Sequence, residues 1–154
     1  VQDKEINSDI VFIIDESSSM CKYIKPMRNK LNNFINELKN VRANARISII
    51  GFGGKPRIYS AFTDDIDAIE KAFGKLRCTE GGQESGLEAI RMFLNKSNMF
   101  INKIESPYSE ETLEDVEGLE WREDSSRTII LVTDEDSDLP QYEENRNELQ
   151  IENL

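Results

Sequence analysis

Two long apolar runs in this sequence stop at an aspartate. Asp9-Ile-Val-Phe-Ile-Ile ends at Asp15, and Arg127-Thr-Ile-Ile-Leu-Val-Thr ends at Asp134. Carboxylates that converge without a counter-charge repel, which raises one pKa. The chain contains no histidine, and nearby lysines such as Lys22 fall on the segment that follows. A bound cation is therefore the better counter-charge. Asp15 also opens the string Asp15-x-Ser17-x-Ser19, in which alternate side chains of a turning loop can point oxygen atoms at one centre. A donor set made only of oxygen favours Mg2+, Ca2+ or Mn2+ over soft metals. The lack of histidine removes the commonest zinc ligand and the commonest general base together. A plainer reading stays open beside this one, in which Ser17 to Ser19 form a polar turn capping the next helix. The two roles can coexist.

The elements that would carry these residues follow from apolar spacing. The run before Asp15 is β-branched and lacks polar alternation, as a strand buried on both faces reads. Ile24, Met27, Leu31, Phe34 and Leu38 then recur at helical spacing, with Pro26 placed in the first turn of that helix. A second buried run, Ala45 to Phe52, ends in Gly53-Gly54 and precedes a short strand near Arg57-Ile-Tyr59, which predicts a hairpin. Thr63, Asp64 and Asp65 can cap a second helix with Ile66, Ile69, Ala72 and Phe73 inward. Leu87, Ile90 and Leu94 mark a third. Residues 95–126 lack sustained periodicity and carry nine acidic side chains between Glu105 and Asp124, so they read as an acidic insertion or surface loop. The run before Asp134 reads as one more fully buried strand, and the polar tail from Gln141 can form a short helix.

Strands alternating with helices predict an α/β fold, a doubly wound and mostly parallel central sheet with helices on both faces. Ligands of such sheets bind beyond the carboxyl ends of the strands, where Asp15 and Asp134 fall. The length of 154 residues predicts a single domain over 1–154, and its start at Val1 suggests a processed product or part of something longer. A formal net charge of −11 repels phosphate backbones and anionic lipid, which argues against nucleic acid and membrane surfaces as partners. No apolar run approaches the roughly 20 residues that cross a bilayer, so no direct membrane insertion is expected.

Asp9-Ile-Val-Phe-Ile-Ile-Asp-Glu-Ser-Ser-Ser-Met20 resembles the opening strand and Asp-x-Ser-x-Ser loop of von Willebrand factor A domains, the metal-ion-dependent adhesion site. Ile130-Leu-Val-Thr-Asp134 is similar to the family's fourth-strand acid, with Glu135 standing where glycine is usual. The resemblance covers most of residues 9–140 and implies a Rossmann-like fold, here without an evident fifth or sixth strand. It also implies a third-loop ligand. Thr79 lies in the right loop but farther from Gly86 than the family threonine lies from its glycine. Glu84-Ser-Gly-Leu-Glu-Ala89 is closer to the integrin β-subunit form, whose loop supplies a glutamate, so Glu84 is the expected ligand and Thr79 the alternative. Glu84 capping the third helix is the non-ligand reading. Cys21 and Lys22 replace the acids of the integrin adjacent metal site, which should be absent. Asp134-x-Asp136-x-Asp138 reads as a solvated turn more readily than as a second ion site.

What the resemblance implies is a non-catalytic, metal-dependent adhesion module. Asp15, Ser17, Ser19, Glu84 and Asp134 would hold one divalent cation, Mg2+ or else Ca2+ or Mn2+, leaving a position for an Asp or Glu carboxylate of a protein partner. Such modules belong to larger proteins or assemblies. A Mg2+-dependent phosphotransferase of haloacid-dehalogenase type is the competing class, but it needs a second acid where Ser17 stands. An intracellular scaffold of the same fold is the other alternative. If Ser19 and Glu84 share an ion, Cys21 and Cys78 lie beside converging loops, and a disulfide follows from the metal hypothesis; two reduced thiols in a cytosolic protein are the alternative. The bridge and the sequon Asn95-Lys-Ser97, a candidate N-glycosylation site, both point to an extracellular or cell-surface setting.

Overall fold

Residues 6–40, 43–53, 56–78, 86–97 and 117–134 are described in the computed structural model. Strand β1 (Ile6–Asp15) leads through a 3-10 turn (Ser18–Met20) into helix α1 (Cys21–Asn40). Strands β2 (Ala43–Phe52) and β3 (Arg57–Thr63) follow, then helices α2 (Ile66–Gly74) and α3 (Gly86–Lys96) and strand β4 (Ser125–Val132). The sheet order is β3-β2-β1-β4. β1 pairs in parallel with β2 from Ile6↔Ala43 to Asp15↔Phe52, and with β4 from Asn7↔Ser125 to Ile14↔Val132. Three strands thus finish at one edge, and the antiparallel β2–β3 pair is the expected hairpin.

Alternation along β1 divides the core between two faces. Ile10, Phe12 and Ile14 pack with α1 and α2 through Ile24, Leu31, Ile35, Ile69, Ala72 and Phe73. Val11 and Ile13 face α3 through Ala89 and Phe93, joined by Leu119 and Trp121. Helices on both faces of a mostly parallel sheet are the predicted α/β architecture. Asp65 caps α2 by accepting from the amides of Asp67 at 3.0 Å and Ala68 at 3.3 Å.

Four details depart from the sequence reading or add to it. Pro26 lies inside α1 rather than in its first turn, because the helix already begins at Cys21. The third helix forms as expected around Leu87, Ile90 and Leu94, which are half-buried, and its most buried apolar side also takes in Ala89, Met92 and Phe93, which the spacing did not single out. β4 is the sheet edge among the described residues, so Ser126 to Thr128 are exposed and Ile129 to Val132 half-buried rather than enclosed. The acidic stretch is narrower than 95–126: α3 runs to Lys96, β4 starts at Ser125, and Leu119 and Trp121 are core residues. Residues 98–116 and the tail from 135 lie outside the described residues.

At the amino end of β1, Asp9 is fully buried. Arg46 donates to both of its oxygens at 2.9 Å, Arg122 donates from its backbone at 2.8 Å and its Nε at 2.9 Å, and Ser125 Oγ donates at 2.9 Å. Burial alone would raise its pKa, but the Arg46, Arg122 and Ser125 hydrogen bonds outweigh it and hold the carboxyl well below the usual carboxylate range. Arg122 also donates to the carbonyls of Ser8 at 3.1 Å and Asn44 at 2.7 Å, tying the segment before β4 to β1 and β2.

Candidate metal centre

At the opposite end of β1 the ladder delivers Asp15 to the sheet edge fully buried, beside the end of β4. Its Oδ1 accepts from the Ser17 amide at 2.7 Å, which folds the loop back over the strand end. Its Oδ2 accepts from Thr133 Oγ1 at 2.8 Å. Ser17 and Ser19 share a hydrogen bond between hydroxyls at 2.9 Å, and Ser19 Oγ donates to Asp134 Oδ1 at 3.0 Å. Because Ser19 gives its one proton to Asp134, Ser17 is the donor in the pair of serines. Asp15, Ser17, Ser19 and Asp134 are thus brought together, as expected from the sequence.

Ser17 occupies the cap position of the 3-10 turn, yet its side chain makes no capping hydrogen bond; its carbonyl accepts from the Met20 amide at 3.0 Å. The hydroxyl is spent within the cluster instead. Ser17 is buried, whereas Ser19 and Asp134 are exposed, so the cluster is closed towards the sheet and open on its outer side.

The donor chemistry fits a hard divalent cation. Two carboxylates match its charge, and two hydroxyls add oxygen donors without adding charge. Among the described residues no group of three or more His, Cys, Asp or Glu side chains converges, so the donor set they offer an ion includes the serines. Glu84 and Thr79 lie outside the described residues, as do Glu135, Asp136 and Asp138.

Cys21 and Cys78 form a disulfide with Cα atoms 5.0 Å apart, so Cys78 is fastened two residues beyond Ser19. Asn95 lies in the last turn of α3 at 9% exposure, with Ser97 at 6%. That burial counts against Asn95 as a glycan acceptor, which must be reached from solvent. The sequence reading gave no role to Thr133 or Glu16. For Thr133 the signal was its place beside Asp134; for Glu16 it was an acid set among small loop residues.

A family model for the von Willebrand factor type A domain matches residues 10–136. No match is found among curated proteins. Among solved structures, proximal thread matrix protein 1 from the mussel byssus is similar at TM-score 0.62 and 19% identity, over 90% of this chain and 34% of that one. A second structure of that protein is described as having a zinc-occupied MIDAS motif, with TM-score 0.62, 20% identity and the same coverages of 90% and 34%. The von Willebrand factor domain of the type V pili tip protein Mfa5 from Porphyromonas gingivalis is similar at TM-score 0.52 and 20% identity, over 60% of this chain and 33% of that one. This chain therefore spans about a third of the length of the mussel and Porphyromonas chains. At these identities the neighbours establish the fold, and the family match covers most of the sequence. The chain belongs to the von Willebrand factor type A domain family.

Proposed function

We propose that this domain is a non-catalytic binding module in which Asp15, Ser17, Ser19 and Asp134 hold one divalent cation, through which an Asp or Glu of a protein partner is captured. The observation that carries the reading is the hydrogen-bonded line Asp134–Ser19–Ser17 beside the buried Asp15 carboxylate. A cation would replace the proton that Ser19 now lends to Asp134. Ser19 and Asp134 face solvent, which leaves the outer side of the ion for a partner's oxygen. Glu84 completes the set from the third loop in this reading, with Thr79 as the alternative, and a directly bound Glu84 would weaken the ion's pull on an incoming carboxylate compared with threonine. Mg2+ is the expected ion, with Ca2+ and Mn2+ close competitors. The zinc in the mussel protein makes Zn2+ a necessary arm of any test.

The Cys21–Cys78 bridge supports an oxidising, extracellular or cell-surface setting. The pilus and byssus neighbours support membership of a larger adhesive assembly. No helix among the described residues is long and apolar enough to cross a membrane. The phosphotransferase reading gains nothing from the geometry, since Ser17 stands where its second acid belongs.

Titration calorimetry with Mg2+, Ca2+, Mn2+ and Zn2+ tests the site, followed by a peptide carrying one central Glu and its Gln counterpart. The expected result is stoichiometric ion binding lost in Asp15→Asn, and Glu-peptide binding abolished by EDTA. Glu84→Gln should weaken ion binding more than Thr79→Val; the reverse ranking selects the threonine-type site. Turnover of a phosphate ester with Mg2+ that disappears in Asp15→Asn would sink the binding-module reading.

A further inference from the structure

Glu16 is a buried carboxylate beside the proposed metal site, and no ligand role uses it. It fills the first x of Asp15-x-Ser17-x-Ser19 at 1% exposure. Its Oε2 accepts from Tyr59 Oη at 2.6 Å and from the Arg77 amide at 2.7 Å, and its own amide donates to the Phe52 carbonyl at 2.6 Å. The carboxylate lies over Gly51 of β2. A Cβ at that position would fall 2.6 Å from Glu16 Cδ and 2.7 Å from Tyr59 Cε2, so the bay exists only because residue 51 has no side chain. Burial, together with the hydrogen bond to Glu16 and its charge, pushes the Tyr59 phenol up to about 12, against the opposing pull of Arg57.

Burying a carboxylate is costly, and an apolar side chain would fill the same bay without that cost. What Glu16 adds is position. Arg77 precedes Cys78, and Cys78 is bridged to Cys21. The segment 16–21 is therefore attached to the segment 77–78 twice, by the Glu16 carboxylate at one end and by the disulfide at the other. These two links and the intervening backbone close a ring, and Ser17 and Ser19 lie on its arc.

We propose that Glu16 is a positioning residue that holds the Asp15–Ser19 loop, and the Arg77–Cys78 segment beside it, in a metal-competent arrangement before any ion arrives. This rests on the metal-binding reading above. Without the carboxylate the disulfide still joins the two segments, but the ring opens at its other end. The Arg77 amide and the Tyr59 hydroxyl lose their acceptor, and an ion must then order the serines at its own cost.

The test compares wild type, Glu16→Ala and Glu16→Gln as oxidised proteins, using Mg2+ calorimetry and amide exchange at Arg77 in metal-free samples. Glu16→Ala is expected to bind Mg2+ about 10- to 100-fold more weakly, the range for groups that orient ligands. Its Arg77 amide should exchange faster than in wild type before metal is added. Glu16→Gln keeps an oxygen acceptor for both donors and should restore both readouts to near wild type. Should Glu16→Ala fail to fold, Glu16→Met keeps the length without the acceptor and replaces it. A folded Ala or Met variant with wild-type Mg2+ affinity overturns the proposal, as does a Gln variant that fares as badly as Ala, which would make charge rather than hydrogen bonding the cause. A wild-type chain that binds none of the four ions overturns this and the metal-binding reading together, whereas wild-type binding with an indifferent Ala variant overturns this one alone.

Discussion

Strand β1 carries a fully buried aspartate near each end, and the two are partnered in opposite ways. Asp9 receives two guanidinium groups, a backbone amide and a serine hydroxyl, so its charge is balanced inside the fold. Asp15 receives one amide and one threonine hydroxyl, and among the described residues no ion pair reaches it. Residue type, strand and burial are the same at both ends, and only the source of positive charge differs. At the amino edge the protein supplies that charge itself and gains a fixed joint. At the carboxyl edge the described residues supply no such charge, which is what the proposed cation site requires.

The contrast can be broken by experiment. The largest expected effect is at the carboxyl edge, where replacing both cysteines by serine removes a cross-link spanning 57 residues. On the chain-entropy model this costs about 4 kcal/mol, readable as a lower denaturant midpoint. Next is Asp9→Ala, which strands Arg46 and Arg122 and should cost about 3 kcal/mol, the low end for breaking a buried pair because both arginines keep some contact with water. Mg2+ affinity of the folded Asp9→Ala protein should be unchanged; a loss would show that the two edges are coupled. Asp15→Asn reverses the pattern, with Mg2+ affinity down by about 100-fold or more and little change in the melting temperature of the metal-free protein.

The smallest effect is the pH dependence that Asp9 confers. Its folded pKa lies below the ordinary value of 3.8, so its contribution is complete above that value and is lost as pH falls through the folded pKa. Unfolding free energies measured from roughly pH 5 to 2 should fall more steeply for wild type than for Asp9→Asn. Equal slopes would remove Asp9 from the acid response.

The sequence made the carboxyl edge legible because its signals are local. An apolar run stopping at an acid and an alternating Asp-Ser-Ser string are each contained within a few neighbouring residues. The amino edge offered no such signal. Asp9 meets Arg46 and Arg122 across 37 and 113 residues, and only the folded register reveals that pairing. Glu16 escaped for the same reason, since Tyr59, Arg77 and the empty bay over Gly51 come from three other segments. Leu119 and Trp121 were hidden by acidic neighbours, whose charge dominates the local pattern while their side chains point away from the core. The exposed flank of β4 was misread because strand composition reports hydrophobicity and not a place in the sheet.

The bridge between Cys21 and Cys78 also decides how the domain would respond to being pulled. α1, β2, β3 and α2 all lie within the bridged interval, whereas β1, α3 and β4 lie outside it. A load applied to the two ends of the chain can draw out only the outside segments while the bridge is intact. At about 3.4 Å per extended residue, the 57-residue interval withholds roughly 190 Å of contour length. Single-molecule extension should therefore lengthen by that amount after reduction.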